Sequence, residues 1–245
     1  MTDLLSIYHS VKSLPWVDLT HQIDEDSPRF PALPELKKER LFTLDDGFLV
    51  DQFTVVTQYG THIDAPVHFA RGGRHLEEIA LKDLLLPLYV IDLSHKVSEN
   101  PDYELTKEDI LDFEKQHGQI LPESFVAFRS DWSKRWPNTD AVRNLDDAGV
   151  QHTPGWSKEA IQFLIEERDV KAIGHETLDT DAGVRAAESG FLYNELYLLE
   201  QDRFQVENLN NLDQVPATGS LISIAYPNWK ETGGSPVRAI AILPE

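Results

Sequence analysis

The chain has 245 residues, 41% hydrophobic and 26% charged, enough for one large domain or two small ones, with a core that needs no covalent staples, and too apolar to be disordered throughout. Lys and Arg number 22 against 42 Asp and Glu, a net charge of −20, which excludes a general nucleic-acid or anionic-membrane surface because both require a basic footprint. Cysteine is absent, which excludes disulfides, thiolate catalysis and iron–sulfur ligation and leaves His, Asp, Glu, Asn and Gln as metal ligands.

Met1–Lys12 carries acids and polar residues without a long apolar run, so it does not read as a secretory signal, and a cytoplasmic protein is expected. Pro28, Pro31 and Pro34 mark an irregular surface excursion. Short runs rich in apolar and β-branched residues predict strands at Phe53–Thr57, Leu88–Leu93, Phe125–Arg129, Ala172–Gly174, Leu221–Tyr226 and Val237–Leu243. The longest apolar stretch, Leu84–Ile91, is interrupted by Pro87 and is far too short to span a bilayer. Thr106 is placed to cap a helix through Gln116, with Asp109 in the first turn and Gly118 past the end. Ser157 is placed to cap another helix through Glu167, on which Ala160, Ile161, Leu164 and Ile165 share a face. No repeat, low-complexity tract or Gly/Ser linker divides the chain, so residues 1–245 are expected to form a single domain. Strands and helices are mixed, with more strand than strict alternation gives, which predicts the α/β class with a mixed sheet.

The sequence holds no G-x-S-x-G elbow, P-loop, G-x-G-x-x-G or H-E-x-x-H. A common serine hydrolase, a nucleotide-triphosphate enzyme and a Rossmann dehydrogenase therefore lose their main support. What the chain does carry is a dense run at 58–69, Gln-Tyr-Gly-Thr-His-Ile-Asp-Ala-Pro-Val-His-Phe. On a continued strand Gln58, His62, Asp64 and His68 share parity and hence one face, although Gly60 and Pro66 interrupt it. Imidazole and carboxylate suit Zn²⁺ or Mn²⁺. A bound ion acidifies its water and polarises a carbonyl, and an unligated His nearby is suited to proton transfer near neutral pH.

From Gly60 to His68 this run resembles the H-x-G-T-H-x-D-x-P-x-H signature of the metal-dependent cyclase family, which includes bacterial kynurenine formamidase and isatin hydrolase-like enzymes. Further stretches are similar: Val17–His21, Gly72-Gly73, Val90–Leu93, Phe128–Trp132, Val170–Asp181 and Val206–Leu209. The resemblance implies an α/β fold with a mixed, β-barrel-like sheet flanked by helices, of the swivelling β/β/α type, assembled as a homodimer or homotetramer. It implies metal ligation by His62, Asp64 and Glu207, with Asp64 bridging if two ions bind, and His68 as general acid/base. Two positions depart from the family pattern: the first motif His is Gln58 here, and a His twelve residues before the late Glu is Glu195 here. Both replacements offer oxygen, which tilts the divalent ion toward Mn over Zn and leaves one or two ions open.

His175 and Glu176, with Asp179 and Asp181 behind them, read either as substrate contacts or ligand support, or as a polar strand exit. His152 and His21 are further candidates for the pocket, His21 with Phe30 at its mouth; the alternative is plain loop residues. Trp132, Trp136, Trp156 and Trp229 read as a substrate wall or as packing, and Gly233-Gly234 as a turn or a flap. The expected function is a metal-dependent hydrolase of a small-molecule substrate, opening a formamide, cyclic amide or lactone with metal-activated water and His68. A metal-dependent lyase or cyclase, and a metal-bearing binding protein without catalysis, are the alternatives.

Overall fold

A computed structural model describes residues 3–245; Met1 and Thr2, the start of the segment read above as free of a secretory signal, lie outside the described residues. The chain opens with helix α1 (Leu4–Ser13), strand β1 (Trp16–Asp18) and a hairpin of β2 (Lys37–Phe42) and β3 (Val50–Thr54). Then come β4 (His62–Asp64), β5 (Leu85–Asp92), α2 (Ser94–Glu99), β6 (Glu104–Leu105), α3 (Lys107–His117) and β7 (Phe125–Arg129). They are followed by α4 (Thr139–Arg143), β8 (Gly155–Trp156), α5 (Lys158–Glu166) and β9 (Ala172–His175). The last part holds α6 (Gly183–Ser189), α7 (Tyr193–Glu200), β10 (Phe204–Glu207), β11 (Ser220–Ala225), β12 (Gly234–Pro236) and β13 (Arg238–Ile242). Among the described residues no helix is long and apolar enough to cross a membrane.

Nine strands form one sheet in the order β1-β13-β11-β5-β7-β9-β10-β4-β12. Strands β5, β7, β9 and β10 run parallel, and the flanking strands pair antiparallel. Strand alternation buries both faces. Leu88, Val90, Phe125 and Ala127 enter one core together with Val17 of β1 and Ile63 of β4, from opposite ends of the strand order. Only a curled sheet encloses such residues in one cluster, and the sheet is a half-barrel whose edges, β1 and β12, remain unjoined. Tyr89, Ile91, Val126 and Phe128 point the other way, against Ile110 and Phe113 of α3 and Ile161 and Leu164 of α5. The result is the single α/β domain expected from the sequence, with a mixed, barrel-like sheet and helices outside it.

The two predicted helices start where their caps are. Thr106 accepts from Asp109 N and Asp109 returns the bond, and Ser157 accepts from Ala160 N. The first predicted strand is displaced. Only Phe53 and Thr54 of Phe53–Thr57 belong to β3, which pairs with β2 in a ladder bounded by Lys37↔Thr54. Val55–Thr57 have no partner beyond that point, so the strand stops before the 58–69 run. Pro87 sits on β5 beside Leu221 of β11, before the β7 ladder begins at Leu88, so no β7 bond is lost to its missing N–H.

Candidate metal centre

Strand β4 lies between β10 and β12, with Gln205↔Asp64 and Glu207↔His62 directly opposite. Ile63 and Val206 point into the core. Alternation therefore turns His62, Asp64, Gln205 and Glu207 to the other face, a four-residue polar patch built from two strands.

Local turns complete it. Gly60 has φ +62, and a Cβ there would lie 2.1 Å from Ile23 Cγ2, so the position requires glycine. Its carbonyl sits 2.9 Å from His62 Nδ1, which assigns the ring proton to Nδ1 and leaves Nε2 facing Glu207 Oε2 at 3.3 Å and Asp64 Oδ2 at 3.5 Å. After β4, Pro66 begins a single turn of 3₁₀ helix (Pro66–His68) that brings His68 back. His68 Nε2 lies 3.8 Å from Asp64 Oδ1 and 4.0 Å from Glu195 Oε1. Glu195 stands in the first turn of α7, where the Asp181 carboxylate accepts from Asn194 N and Glu195 N. Gln58 arrives from the loop after β3; its Nε2 donates to Asp64 Oδ1 at 3.2 Å and lies 3.4 Å from His68 Nδ1, while its Oε1 accepts from Thr57 Oγ1. In this orientation Gln58 is a donor to the cluster, and ligation through its oxygen requires the amide to turn over.

Asp64, Glu195 and Glu207 are all buried. Among the described residues no Lys or Arg borders the pocket. Burial first, then repulsion from Asp64, Asp179 and Asp181, holds the carboxyl of Glu195 well above the usual carboxylate range. Burial and the same acids, together with Glu195, do likewise for Glu207. Asp179 is pushed up to about 6, mainly by burial. His175 lies behind Glu207. Trp156 Nε1–H points at its Nδ1, its Nε2 is 3.4 Å from Glu207 Oε1, and burial pulls its pKa down to about 3. A pocket of about 290 Å³ opens onto this cluster, with Phe30, Leu33, Phe69, Leu178 and Leu192 as apolar wall.

Gln58, His62, Asp64, His68, Glu195 and Glu207 are thus brought together, with His175 adjoining. Three other candidates are not. Glu176 is buried on the far side, where it accepts from Ser130 N, Ser130 Oγ and Ser133 Oγ and ties down the loop after β7. His21 stacks on Trp136, ring centroids 4.3 Å apart, and borders a different cleft. His152 is held by Asp102 at 2.8 Å and Asp146 at 3.5 Å, outside the pocket lining. The tryptophans do not form a substrate wall: Trp132 and Trp156 are core, and Trp229 is exposed. Gly233-Gly234 is not a flap either. Gly234 opens β12, opposite Asp64, where the ladder with β4 holds it. Sequence reasoning missed Gln205, a wholly buried amide between Asp64 and Glu207. Its one sequence signal was strand parity with Glu207.

Residues 17–182 match the family described as "Putative cyclase". The chain is 33% identical over 231 residues to isatin hydrolase of Roseibium aggregatum, covering 91% of this chain and 86% of that protein. Isatin hydrolase A from Labrenzia aggregata, solved bound to benzyl benzoate, matches with a TM-score of 0.92 at 33% identity over 100% of both chains. Kynurenine formamidase of Geobacillus thermodenitrificans is 36% identical over 83 residues, 33% of this chain and 40% of that protein. The chain therefore belongs to the cyclase family and is an enzyme of its metal-dependent, kynurenine formamidase-like hydrolase class.

Proposed function

We propose that this enzyme opens a C–N amide bond, with cyclic amides of the isatin kind as the leading substrates and formamides and lactones as secondary ones. The observation that carries this is the shared position of Asp64. His62, Asp64 and Glu207 form one ligand-capable group, and Asp64, His68 and Glu195 another, the ligand atoms of each within 4.8 Å of one another. Buried carboxylates without a Lys or Arg partner fit a divalent cation, which would offset the repulsion that lifts Glu195 and Glu207. His62, Asp64 and Glu207 would hold one ion, and Asp64 with Glu195 a second, joined by Gln58 if its amide turns over. The oxygen-rich set favours Mn²⁺ over Zn²⁺.

When bound, such an ion supplies a water of near-neutral pKa and a polarised carbonyl. The side chains do the rest. His68 is the most exposed member of the two groups, at 29% of its side chain, and borders the pocket, so its ring is placed to carry a proton to the leaving nitrogen. Phe30 and Phe69 suit an aryl ring and exclude water. The full-length similarity to isatin hydrolase supports a cyclic amide, and the shorter match to kynurenine formamidase supports the wider amide class. The β2–β3 hairpin, with Phe42, Phe48, Leu49 and Phe53 exposed, supports assembly as a homodimer or homotetramer.

The test is elemental analysis of protein purified without added metal or chelator, beside turnover of isatin in isotopically labelled water. The expected result is about one or two equivalents of metal per chain and labelled oxygen in the product. Asp64→Asn loses both metal and turnover. Protein that takes up neither Mn²⁺ nor Zn²⁺, or an Asp64→Asn enzyme with full metal and full activity, overturns the reading.

A further inference from the structure

A groove continues from the metal pocket along α6. It encloses about 600 Å³ against about 290 Å³ for the pocket, and the two share Phe30, Phe69, Asp179 and Leu192 as walls. Its floor is the small-residue side of α6, with Gly183, Ala186 and Ala187. Phe69 and Phe191 meet edge to face across it, centroids 5.6 Å apart. An apolar body wider than one ring therefore has room beside the cluster.

The groove is not purely apolar. Arg143, the last residue of α4, borders it and does not border the metal pocket. Arg143 is half-buried, and its Nε is shielded from solvent with no hydrogen-bond partner. Among the described residues no carboxylate pairs with it, in a chain where 42 acids face 22 basic side chains. Neighbouring arginines are engaged: Arg135 lies 3.5 Å over the Trp132 ring and donates to Ala141 O, and Arg129 pairs with Asp92 and Asp131. A guanidinium at the groove wall that no carboxylate pairs is open to an anion at its outer nitrogens, and a carboxylate matches such a fork in two parallel bonds. The one acid in the groove, Asp179, sits at the junction with the pocket and accepts from Gln151 Nε2 at 3.3 Å. An anion in this cleft is thus drawn to the Arg143 end.

We propose that the groove is a specificity subsite for a substrate whose part remote from the scissile amide is apolar and ends in an anionic group, a carboxylate, held by Arg143. This rests on the hydrolase reading, with the amide at the metal cluster and the anion along α6.

The test reads binding without turnover, on the full metal-loaded chain. Calorimetry compares 4-phenylbutyrate with 4-phenylbutanol, its neutral counterpart, in wild type, Arg143→Met and Arg143→Lys. Wild type is expected to bind the acid about tenfold more tightly or better, a charge-assisted pair's worth. Arg143→Met loses that preference while the alcohol binds as before, and Arg143→Lys keeps part of it. Equal binding of acid and alcohol by wild type, or binding of neither, overturns the proposal. So does a preference that survives in Arg143→Met, which assigns the carboxylate to the metal. A change of molecular mass in Arg143→Met by light scattering assigns Arg143 to an interface between copies and also overturns it. In turnover, kcat/KM for a carboxylated isatin falls about tenfold in Arg143→Met while isatin itself is unaffected. If neither isatin is turned over but the binding preference follows Arg143, the amide-hydrolase reading fails and the subsite stands.

Discussion

Gln205 stands opposite Asp64 across the β10–β4 ladder, and its Nε2 donates to Asp64 Oδ2 at 3.2 Å and to Glu207 Oε1 at 2.9 Å. One amide thus orients two carboxylates, and Thr180 Oγ1 fixes that amide by donating to its Oε1. Gln205→Leu removes both donors and lets the carboxylates drift. Metal affinity should fall about 10–100-fold, the usual cost of losing ligand support. Titration with Mn²⁺ checks it, with thermal unfolding as the control for fold. An affinity within about twofold of wild type would detach Gln205 from the centre.

Gly234 is required by closeness rather than by backbone conformation. A Cβ there would lie 2.4 Å from Gln58 Nε2 and 2.7 Å from Ile63 O. Gln58 has room to swing away, but the Ile63 carbonyl belongs to β4 and does not. Gly234→Ala is therefore expected to cost about 1–3 kcal/mol and to displace Gln58 from Asp64. Gly233→Ala is the comparison, because its Cβ would come no nearer than 3.3 Å, to His68 Cα. Urea unfolding of both variants should rank Gly234→Ala clearly below Gly233→Ala, and the reverse order would contradict the packing described.

His21 supplies a pH dependence away from the candidate metal centre. Burial against Trp136 pulls its pKa down from 6.5 to about 4. Between those values the unfolded chain holds the proton and the folded chain does not, so stability falls as pH drops through this window. The loss is about 1.4 kcal/mol per pH unit and about 3 kcal/mol in total. His21→Phe keeps an aromatic stack and abolishes this term. Its stability relative to wild type should rise between pH 7 and pH 4.5 in urea titrations; a pH-independent difference would rule out a buried neutral imidazole.

Metal removal should be proton-linked. Glu195 and Glu207 are held well above the ordinary carboxylate range in the metal-free chain, chiefly by burial. An ion that ligates them competes with protons there, so affinity is expected to weaken as pH falls, with protons released on binding. Calorimetry of Mn²⁺ binding in two buffers of different ionisation enthalpy measures that release. Ion at about 100 times its Kd should stabilise the chain by about 2.7 kcal/mol, and chelation should reverse it. Binding without proton release would mean that neither glutamate carries a proton that the ion displaces.

The helices at Thr106 and Ser157 and the run from Gly60 to His68 were legible because their signals are local: a cap and its third residue, a period of burial, polar ligands a few positions apart. The structure departs from the local reading where locality ends. Phe53–Thr57 has strand composition, but its partner β2 runs out at Thr54. His21, His152 and Glu176 have site-like chemistry, and each is satisfied elsewhere, by Trp136, Asp102 and the Ser130–Ser133 loop respectively.

The class of chemistry is written locally, because an acidic, cysteine-free chain with clustered imidazole and carboxylate has oxygen and nitrogen ligation of a cation as its evident resource. The resemblance named Glu195 and Glu207, and the folded chain shows how they reach Asp64 and adds Gln205. Glu207 and Gln205 reach Asp64 through the pairing of strands some 141 positions apart, and Glu195 through a helix whose first turn Asp181 caps. Strand register over such a separation is set by the whole curled core, Ile63 and Val206 facing inward so that their neighbours must face the pocket, and no local pattern encodes it.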